Sequence, residues 1–138
     1  MRRFAEYDFV FSWGVLHHIE NTRIGFSKIA SKVKKGGMLH IMLYNKENDW
    51  YYDGFRGSTC VKKHEFWDKL TLQEKIEICK QKSQVAGGDI HGWFDAFNPK
   101  YNWSFSADEI HQWFNDEGFE DIKLRMVRKN INMNGIRK

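Results

Sequence analysis

Two short apolar runs near the start of the chain predict two neighbouring strands. The first lies in residues 7–12, where Phe9, Val10 and Phe11 follow Asp8 directly, and the second occupies residues 38–44. Apolar runs of this length without polar alternation are typical of strands buried on both faces, as in a parallel sheet. We therefore expect both strands to be covered on each side.

A helix is predicted between the two strands. Asn21 is a suitable N-cap residue, and Lys34, Lys35 and Gly36 are residue types that favour the end of a helix. The apolar positions in between recur three and four residues apart, which is typical of one buried helix face: Phe26, Ile29, Ala30 and Val33. Strand, helix and strand together predict one right-handed βαβ unit.

Residues 46–104 have the pattern of an insertion between core elements. Residues 45–59 are polar and aromatic, and a short helix is predicted near residues 64–70. Thr71 and Glu74 fit a capping box, after which Leu72, Ile76 and Cys79 fall on one helix face. Gly87 and Gly88 are expected to end this region. Such insertions commonly cover a substrate, so a lid-like role is predicted.

The end of the chain predicts a helix followed by antiparallel strands. Ser106 and Glu109 fit a second capping box, and Gly118 is placed to end the helix. The predicted buried positions of this helix are Ile110, Trp113 and Phe114. Residues 121–126 alternate polar and apolar side chains, which indicates a strand with one polar face. A last, weaker strand is expected at residues 131–136.

Composition limits the classes of protein to consider. The 138 residues are 41% hydrophobic and 16% aromatic, enough for one folded domain with a core. The net charge of +4 is modest, so nucleic-acid binding through the basic C-terminal hairpin is only a weaker alternative. Cys60 and Cys79 lack the spacing of metal ligands, so no metal is expected. No segment has the length and apolarity of a membrane span, and a reduced, cytoplasmic location is expected.

These motifs, in this order, resemble the second half of class I S-adenosylmethionine-dependent methyltransferases. The resemblance is carried by the strand at residues 8–12, the sequence Val-Leu-His-His-Ile at 15–19, and Lys-Lys-Gly-Gly at 34–37 before the second strand. Residues 91–101 and the helix after Ser106 look like the segment that leads to the last helix of many small-molecule methyltransferases. The resemblance covers residues 7 to about 127.

The resemblance implies an α/β fold: a partial Rossmann-like methyltransferase sheet, with parallel strands, a C-terminal antiparallel hairpin and a helical or loop insertion. Residues 1–138 would form a single partial domain, with the insertion at 46–104. The resemblance also implies S-adenosylmethionine as cofactor and a small-molecule methyl acceptor. In this fold ligands bind outside the carboxyl ends of the strands. The implied cofactor-binding residues are Ser12, Trp13, Gly14, Val15 and Leu16.

Catalytic groups are less clearly indicated. A sulfonium methyl group is already activated, so alignment of donor and acceptor is the main requirement and a general base is optional. Weak candidates for such a base are His17, His18 and Asp95; for the two histidines a structural role at the helix entry is the alternative. Candidate substrate-binding residues are Tyr44, Asn45, Trp93 and Tyr101. The aromatic residues at 50–55 and 93–97 either close over a substrate or pack the insertion onto the domain.

The first half of the family pattern has no counterpart in this sequence. The chain contains no Gly-x-Gly-x-Gly, the turn that carries much of the cofactor site in the family. We therefore expect the isolated chain to bind cofactor poorly or not at all and to be inactive. The first strand would also have a bare, apolar edge. The alternative function is a non-catalytic module that pairs through this edge, with itself or with a partner chain that supplies the missing half.

Overall fold

The computed structural model describes residues 5–47, 65–127 and 130–138. Our predictions for residues 50–55 and for Cys60 lie outside this part of the chain. Within these ranges the helices and strands are, from the N-terminus, β1 (Tyr7–Trp13), a 3₁₀ turn (Leu16–His18), α1 (Thr22–Ala30), β2 (Val33–Leu43), α2 (Glu65–Asp68), α3 (Leu72–Ala86), α4 (Ile90–Phe97), α5 (Ala107–Asp116), β3 (Phe119–Val127) and β4 (Asn130–Arg137).

The four strands form one mixed sheet in the order β1-β2-β4-β3. β1 and β2 are parallel and are connected through α1. β4 is antiparallel to both β2 and β3, so β3 and β4 form a hairpin. This arrangement confirms the predicted fold class, an open α/β sheet with a parallel pair and a C-terminal antiparallel hairpin.

The main core lies on one face of this sheet, under α1 and α5. Phe26 of α1 meets Phe114 of α5 edge to face, with ring centroids 5.0 Å apart. The sheet contributes alternate positions of its two central strands: Leu39, Ile41, Leu43, Ile131 and Met133. Ser106 caps α5 as predicted, and both halves of its capping box with Glu109 are formed. The sequence pattern thus places α5 correctly on the core.

The prediction that β1 is buried on both faces is wrong. Phe9 and Phe11 are 57% and 56% exposed. Their register partners on β2 are Met38 and His40, which alternate with the core positions, so both rings point away from the core. β1 is the terminal strand of the sheet, and the described residues leave its aromatic side chains largely uncovered. Burial of β2 is confirmed at Leu39 and at residues 41–43.

The boundary between α1 and β2 also differs from the prediction. α1 ends at Ala30, with Ser31 as its C-cap, and not near Gly36. Val33 already belongs to β2, where it pairs with Tyr7 and remains buried at 4% exposure. One apolar residue can satisfy either a helical face or a strand, so periodicity alone did not separate the two.

The insertion has a small core of its own. Trp67 of α2, Cys79 of α3 and Trp93 of α4 are buried together with Ala96 and Phe97. The capping box of Thr71 and Glu74 and the end of α3 at Gly87 are as predicted. The predicted apolar face of α3 is wrong at its start, because Leu72 is 64% exposed; α3 packs through Ile78 and Cys79 instead.

Candidate functional site

The candidate site lies where β1 and β2 end side by side. β1 ends at Trp13, and Gly14 then turns the chain with a positive φ of 70° while its N–H donates to the Met42 carbonyl at 3.3 Å. The 3₁₀ turn follows and carries both histidines. β2 ends at Leu43, so that Tyr44 and Asn45 come next to this turn. Because the carboxyl ends of parallel strands share one edge of the sheet, these residues converge as predicted.

His17 and Tyr44 form the centre of this junction. Their rings are stacked, with centroids 3.6 Å apart and planes 19° from parallel. The Tyr44 backbone N–H also donates to His17 Nδ1 at 3.3 Å. A neutral His17 therefore carries its proton on Nε2. The side chain is fully buried, which favours a structural role for His17 over that of a base in contact with solvent.

His18 is the more accessible histidine of the pair. Its ring meets that of His17 edge to face, with centroids 4.2 Å apart. Its Nδ1 lies 3.0 Å from the Tyr101 carbonyl oxygen, so Nδ1 carries the proton and donates it. In the neutral ring Nε2 is then the basic nitrogen. His18 is only partly buried. Of the two histidines it is therefore the better placed to accept a proton from a ligand.

Residues 101–105 cross the end of the sheet and hold the junction together. The Trp103 backbone N–H donates to the His17 carbonyl at 2.9 Å, and its indole N–H donates to the Ile19 carbonyl at 3.0 Å. The Phe105 N–H donates to the Tyr44 carbonyl at 2.9 Å. The last stretch of the insertion is thereby fixed against both strand ends, which brings Tyr101 to the candidate site.

The five predicted cofactor-binding residues differ in exposure. Trp13 and Val15 are 44% and 55% exposed, whereas Leu16 is 5% exposed and belongs to the main core. Ser12 and Gly14 are partly buried. Trp13 and Val15 therefore offer apolar surface next to the turn, which fits an aromatic or thioether group of a ligand. Gly14 is favoured here by its positive φ of 70°, whereas a Cβ at this position would only be in ordinary van der Waals contact with Met42 Cε at 3.4 Å.

Two of the predicted site residues in the insertion, Trp93 and Asp95, lie in other surroundings than the histidine junction. Trp93 is buried in the second core, and its indole N–H donates to the Gly87 carbonyl at 2.8 Å. Asp95 is exposed on α4. The structure thus brings Tyr44, Asn45 and Tyr101 to the histidine junction, whereas Trp93 packs within the insertion. Roles for Trp93 and Asp95 in substrate binding or catalysis stay predictions.

Sequence reasoning missed Trp103, whose two hydrogen bonds to the histidine turn make it a principal support of the site. A signal was available in the alternation of Tyr101, Trp103 and Phe105, which indicates an extended segment. The structure confirms that geometry through an isolated parallel bridge between Asn45 and Phe105.

A cavity of about 480 Å³ lies elsewhere, at the opposite end of the sheet. It is lined by Lys35, Gly36, Glu120, Ile136, Arg137 and Lys138. These residues flank the start of β2 and the end of β4, remote from the carboxyl ends of β1 and β2. We favour the strand-end junction as the functional site, because position in the sheet is a better guide to ligand binding in this fold than the size of an open surface depression.

The described part of the chain lacks both a metal centre and a membrane-spanning helix. No group of three histidine, cysteine or acidic side chains in residues 5–47, 65–127 and 130–138 could hold a metal ion. Within the same ranges, no helix combines the length and apolarity needed to cross a bilayer.

Comparison with known proteins agrees with the fold. A family model described as a methyltransferase domain matches residues 3–124. A search of curated proteins found no match. Among solved structures, an O-methyltransferase family protein from Burkholderia thailandensis is similar at 16% identity and a TM-score of 0.54, covering 97% of this chain and 31% of that one.

Two further structures are similar over nearly the whole chain. Human N-acetylserotonin methyltransferase, solved in complex with SAM, is similar at 12% identity and a TM-score of 0.50. The matched region covers 99% of this chain and 31% of the human protein. A putative methyltransferase from Haloferax volcanii, solved with the Trm112 methyltransferase activator, has 12% identity and a TM-score of 0.52, with coverages of 95% and 54%. This chain thus spans about a third to just over half the length of these proteins.

At identities this low the structural likeness supports the fold alone, whereas the family model covers most of the sequence. Together with the sheet order and the strand-end junction, that match establishes that the chain belongs to the methyltransferase domain family.

Proposed function

We propose that this chain takes part in S-adenosylmethionine-dependent methyl transfer to a small-molecule acceptor. The observation that carries the proposal is the methyltransferase-domain match over residues 3–124. The human structure with SAM supports the choice of cofactor. The partly exposed groups at the carboxyl ends of β1 and β2 are where this fold class binds its ligands.

In this proposal the chain supplies positioning groups. When bound, S-adenosylmethionine supplies an activated methyl group, so the protein has to align the acceptor and exclude water. Trp13 and Val15 would contact the cofactor through their exposed apolar surface. Tyr44 and Tyr101 would border the acceptor. His18 is the candidate to receive an acceptor proton, because Nδ1 donates to the Tyr101 carbonyl and leaves Nε2 basic.

The residues that the structure describes offer one wall of such a site. Ser12, Gly14 and Leu16 complete the turn that Trp13 and Val15 border, and the sequence has no Gly-x-Gly-x-Gly to hold the cofactor from the other side. We therefore propose that this chain alone binds cofactor weakly and is inactive as an enzyme. The predicted lid-like role of residues 46–104 and the cytoplasmic location belong to the same proposal.

A second candidate function is that of a non-catalytic module that associates through the open edge of β1. The observation that favours it is the terminal position of β1 combined with its exposed aromatic side chains. The Haloferax volcanii methyltransferase was solved with an activator protein, so association with another chain has a precedent within this fold.

Calorimetric titration with S-adenosylhomocysteine separates the two candidates. We expect saturable binding weaker than micromolar, further weakened by Trp13→Ala. Val85→Ala serves as the control, since Val85 is 87% exposed near the end of α3 and its loss should change nothing. Absence of saturable binding would contradict cofactor binding by this chain and favour the non-catalytic module. Micromolar binding would contradict the one-walled site.

A further inference from the structure

The segment that ends the insertion is hydrogen-bonded to three consecutive residues of the histidine turn. The Tyr101 carbonyl accepts from His18 Nδ1 at 3.0 Å. The Trp103 backbone N–H donates to the His17 carbonyl at 2.9 Å, and its indole N–H donates to the Ile19 carbonyl at 3.0 Å. The backbone on either side of His18 is therefore held together with the His18 ring.

The residue between Tyr101 and Trp103 bonds in a different direction. Asn102 is fully buried, and its Nδ2 donates to the carbonyl of Ala96 in α4. Ala96 is itself buried in the second core. The rings of Tyr101 and Trp103 are stacked, with centroids 6.4 Å apart, as expected for side chains two positions apart in an extended segment. Residues 101–103, called the strap from here on, therefore connect the second core to the histidine turn.

The strap also decides which ring nitrogen of His18 carries the proton. A carbonyl oxygen only accepts, so the contact with Tyr101 requires a proton on Nδ1 and leaves the lone pair of the neutral ring on Nε2. In histidine the partner of one ring nitrogen sets the protonation of the other. The position of the Tyr101 carbonyl, and with it the strap, therefore controls where the basic nitrogen lies.

We propose that Asn102 and Trp103 are positioning residues that hold the neutral His18 ring protonated at Nδ1, with Nε2 as the proton acceptor. The inference rests on the proposed function, in which His18 receives a proton from the methyl acceptor. It adds that the packing of α4 is transmitted to His18 through the strap. The class of acceptor that such a group serves has a proton on its reacting atom, as in a hydroxyl, thiol or amine.

Nuclear magnetic resonance of the full chain with isotopically labelled histidine nitrogens measures the tautomer, because protonated and unprotonated ring nitrogens resonate far apart. The spectra are recorded at a pH at which the ring is neutral, and the signal that is lost in His18→Gln identifies His18. We expect the unmodified chain to hold His18 mainly in its Nδ1–H form. Asn102→Ala removes the bond to α4, and Trp103→Phe keeps an aromatic ring but removes the indole N–H. In each variant the ratio of Nδ1–H to Nε2–H should fall about threefold.

Asn98→Ala is the matched control. Asn98 Oδ1 accepts the indole N–H of Trp67 at 3.4 Å, so this variant also loses an asparagine hydrogen bond of the insertion but leaves the strap intact. Its tautomer ratio should equal that of the unmodified chain. An unchanged ratio in both strap variants would overturn the proposal. An equal fall in Asn98→Ala would overturn the route through the strap, because any loosening of the insertion would then suffice.

Thermal unfolding of each variant checks that it is folded, and Trp103→Phe carries the test if Asn102→Ala is not. The spectra are recorded without cofactor, so their result is separate from the titration with S-adenosylhomocysteine. An unmodified chain with His18 protonated at Nε2 would overturn the positioning role even if cofactor binds. The expected tautomers without cofactor binding would contradict the proposed function and support the positioning role of the strap.

Discussion

His17 stacks on Tyr44 at 3.6 Å between ring centroids and accepts the backbone N–H of the same residue. Two kinds of interaction thus join the turn after β1 to the end of β2. Because both residues sit where the two parallel strands end, this pair helps to set the geometry of the candidate site. The arrangement is supported from the other side by Trp103, whose N–H donates to the His17 carbonyl.

His17→Ala should therefore destabilise the domain strongly. The substitution empties a fully buried position and leaves the Tyr44 N–H without its acceptor, so we expect a loss of about 2–4 kcal/mol in the free energy of unfolding. His17→Phe retains an aromatic ring for the stack and removes both ring nitrogens, including the Nδ1 acceptor. It should cost about 1–3 kcal/mol. Urea unfolding followed by circular dichroism measures both.

Equal losses for the two variants would contradict the role of stacking, and a negligible loss for His17→Phe would contradict the role of the hydrogen bond. His18→Phe is a useful companion, because His18 is only partly buried. It should affect stability less than either change at His17.

The sequence predicted local structure more accurately than it predicted which side chains are buried. The caps at Asn21, Thr71 and Ser106 were all found, because each depends on a side chain and a backbone N–H only three residues away. The exposure of Phe9 and Phe11 was not predicted, because it depends on which segments cover β1 and not on β1 itself. The sequence of an apolar strand is the same whether or not other segments of the protein cover its side chains.

The site was predicted only as far as strand ends could locate it. Tyr44 and Asn45 directly follow β2, and their position is fixed by sheet topology. The contribution of Trp103 depends on how residues 101–105 return to the sheet after a long insertion, which no local pattern specifies. Similarly, the sequence does not distinguish a Trp93 that is buried in a second core, as observed, from a Trp93 that lines the candidate site.

The ion pair between Glu117 and Arg23 should make stability depend on pH. Burial alone would raise the pKa of Glu117, but hydrogen bonds from the Ser27 hydroxyl and from Arg23, and the charges of Arg23 and Arg137, outweigh it and hold the pKa below its usual value. A carboxyl group with a lowered pKa in the folded state contributes stability above its unfolded pKa. That contribution is lost as the pH falls through the folded pKa.

We therefore expect the wild-type chain to lose stability as the pH falls below the ordinary glutamate pKa of about 4.3 and through the lowered folded pKa of Glu117. Glu117→Gln should remove part of this dependence. The difference between the two should be under about 1 kcal/mol at neutral pH, since Arg23 is one-third exposed and solvent screens the pair. Urea titrations at several pH values measure it. Parallel curves for both proteins across this range would contradict the assignment to Glu117.

Gly135 of β4 is a glycine at which an added methyl group should be costly. A Cβ there would lie 2.9 Å from Cδ1 of Phe114 and 3.3 Å from Cβ of Phe119. Both rings are fully or almost fully buried in the main core, so neither can move away freely. Gly135→Ala should therefore destabilise the domain by about 1–3 kcal/mol, the usual cost of overpacking. Thermal and urea unfolding both measure this loss.

Gly92→Ala is the matched control for that prediction. A Cβ at Gly92 would lie at least 3.8 Å from its nearest neighbours, the Asp89 carboxylate atoms. Gly92 also lies inside α4, where alanine is favoured over glycine by about 0.5–1 kcal/mol. The same chemical change should thus stabilise one position and destabilise the other. Equal changes in stability at the two positions would mean that packing against Phe114 does not determine the effect of Gly135→Ala. The core under α5 would then accommodate an added methyl group more easily than its burial indicates.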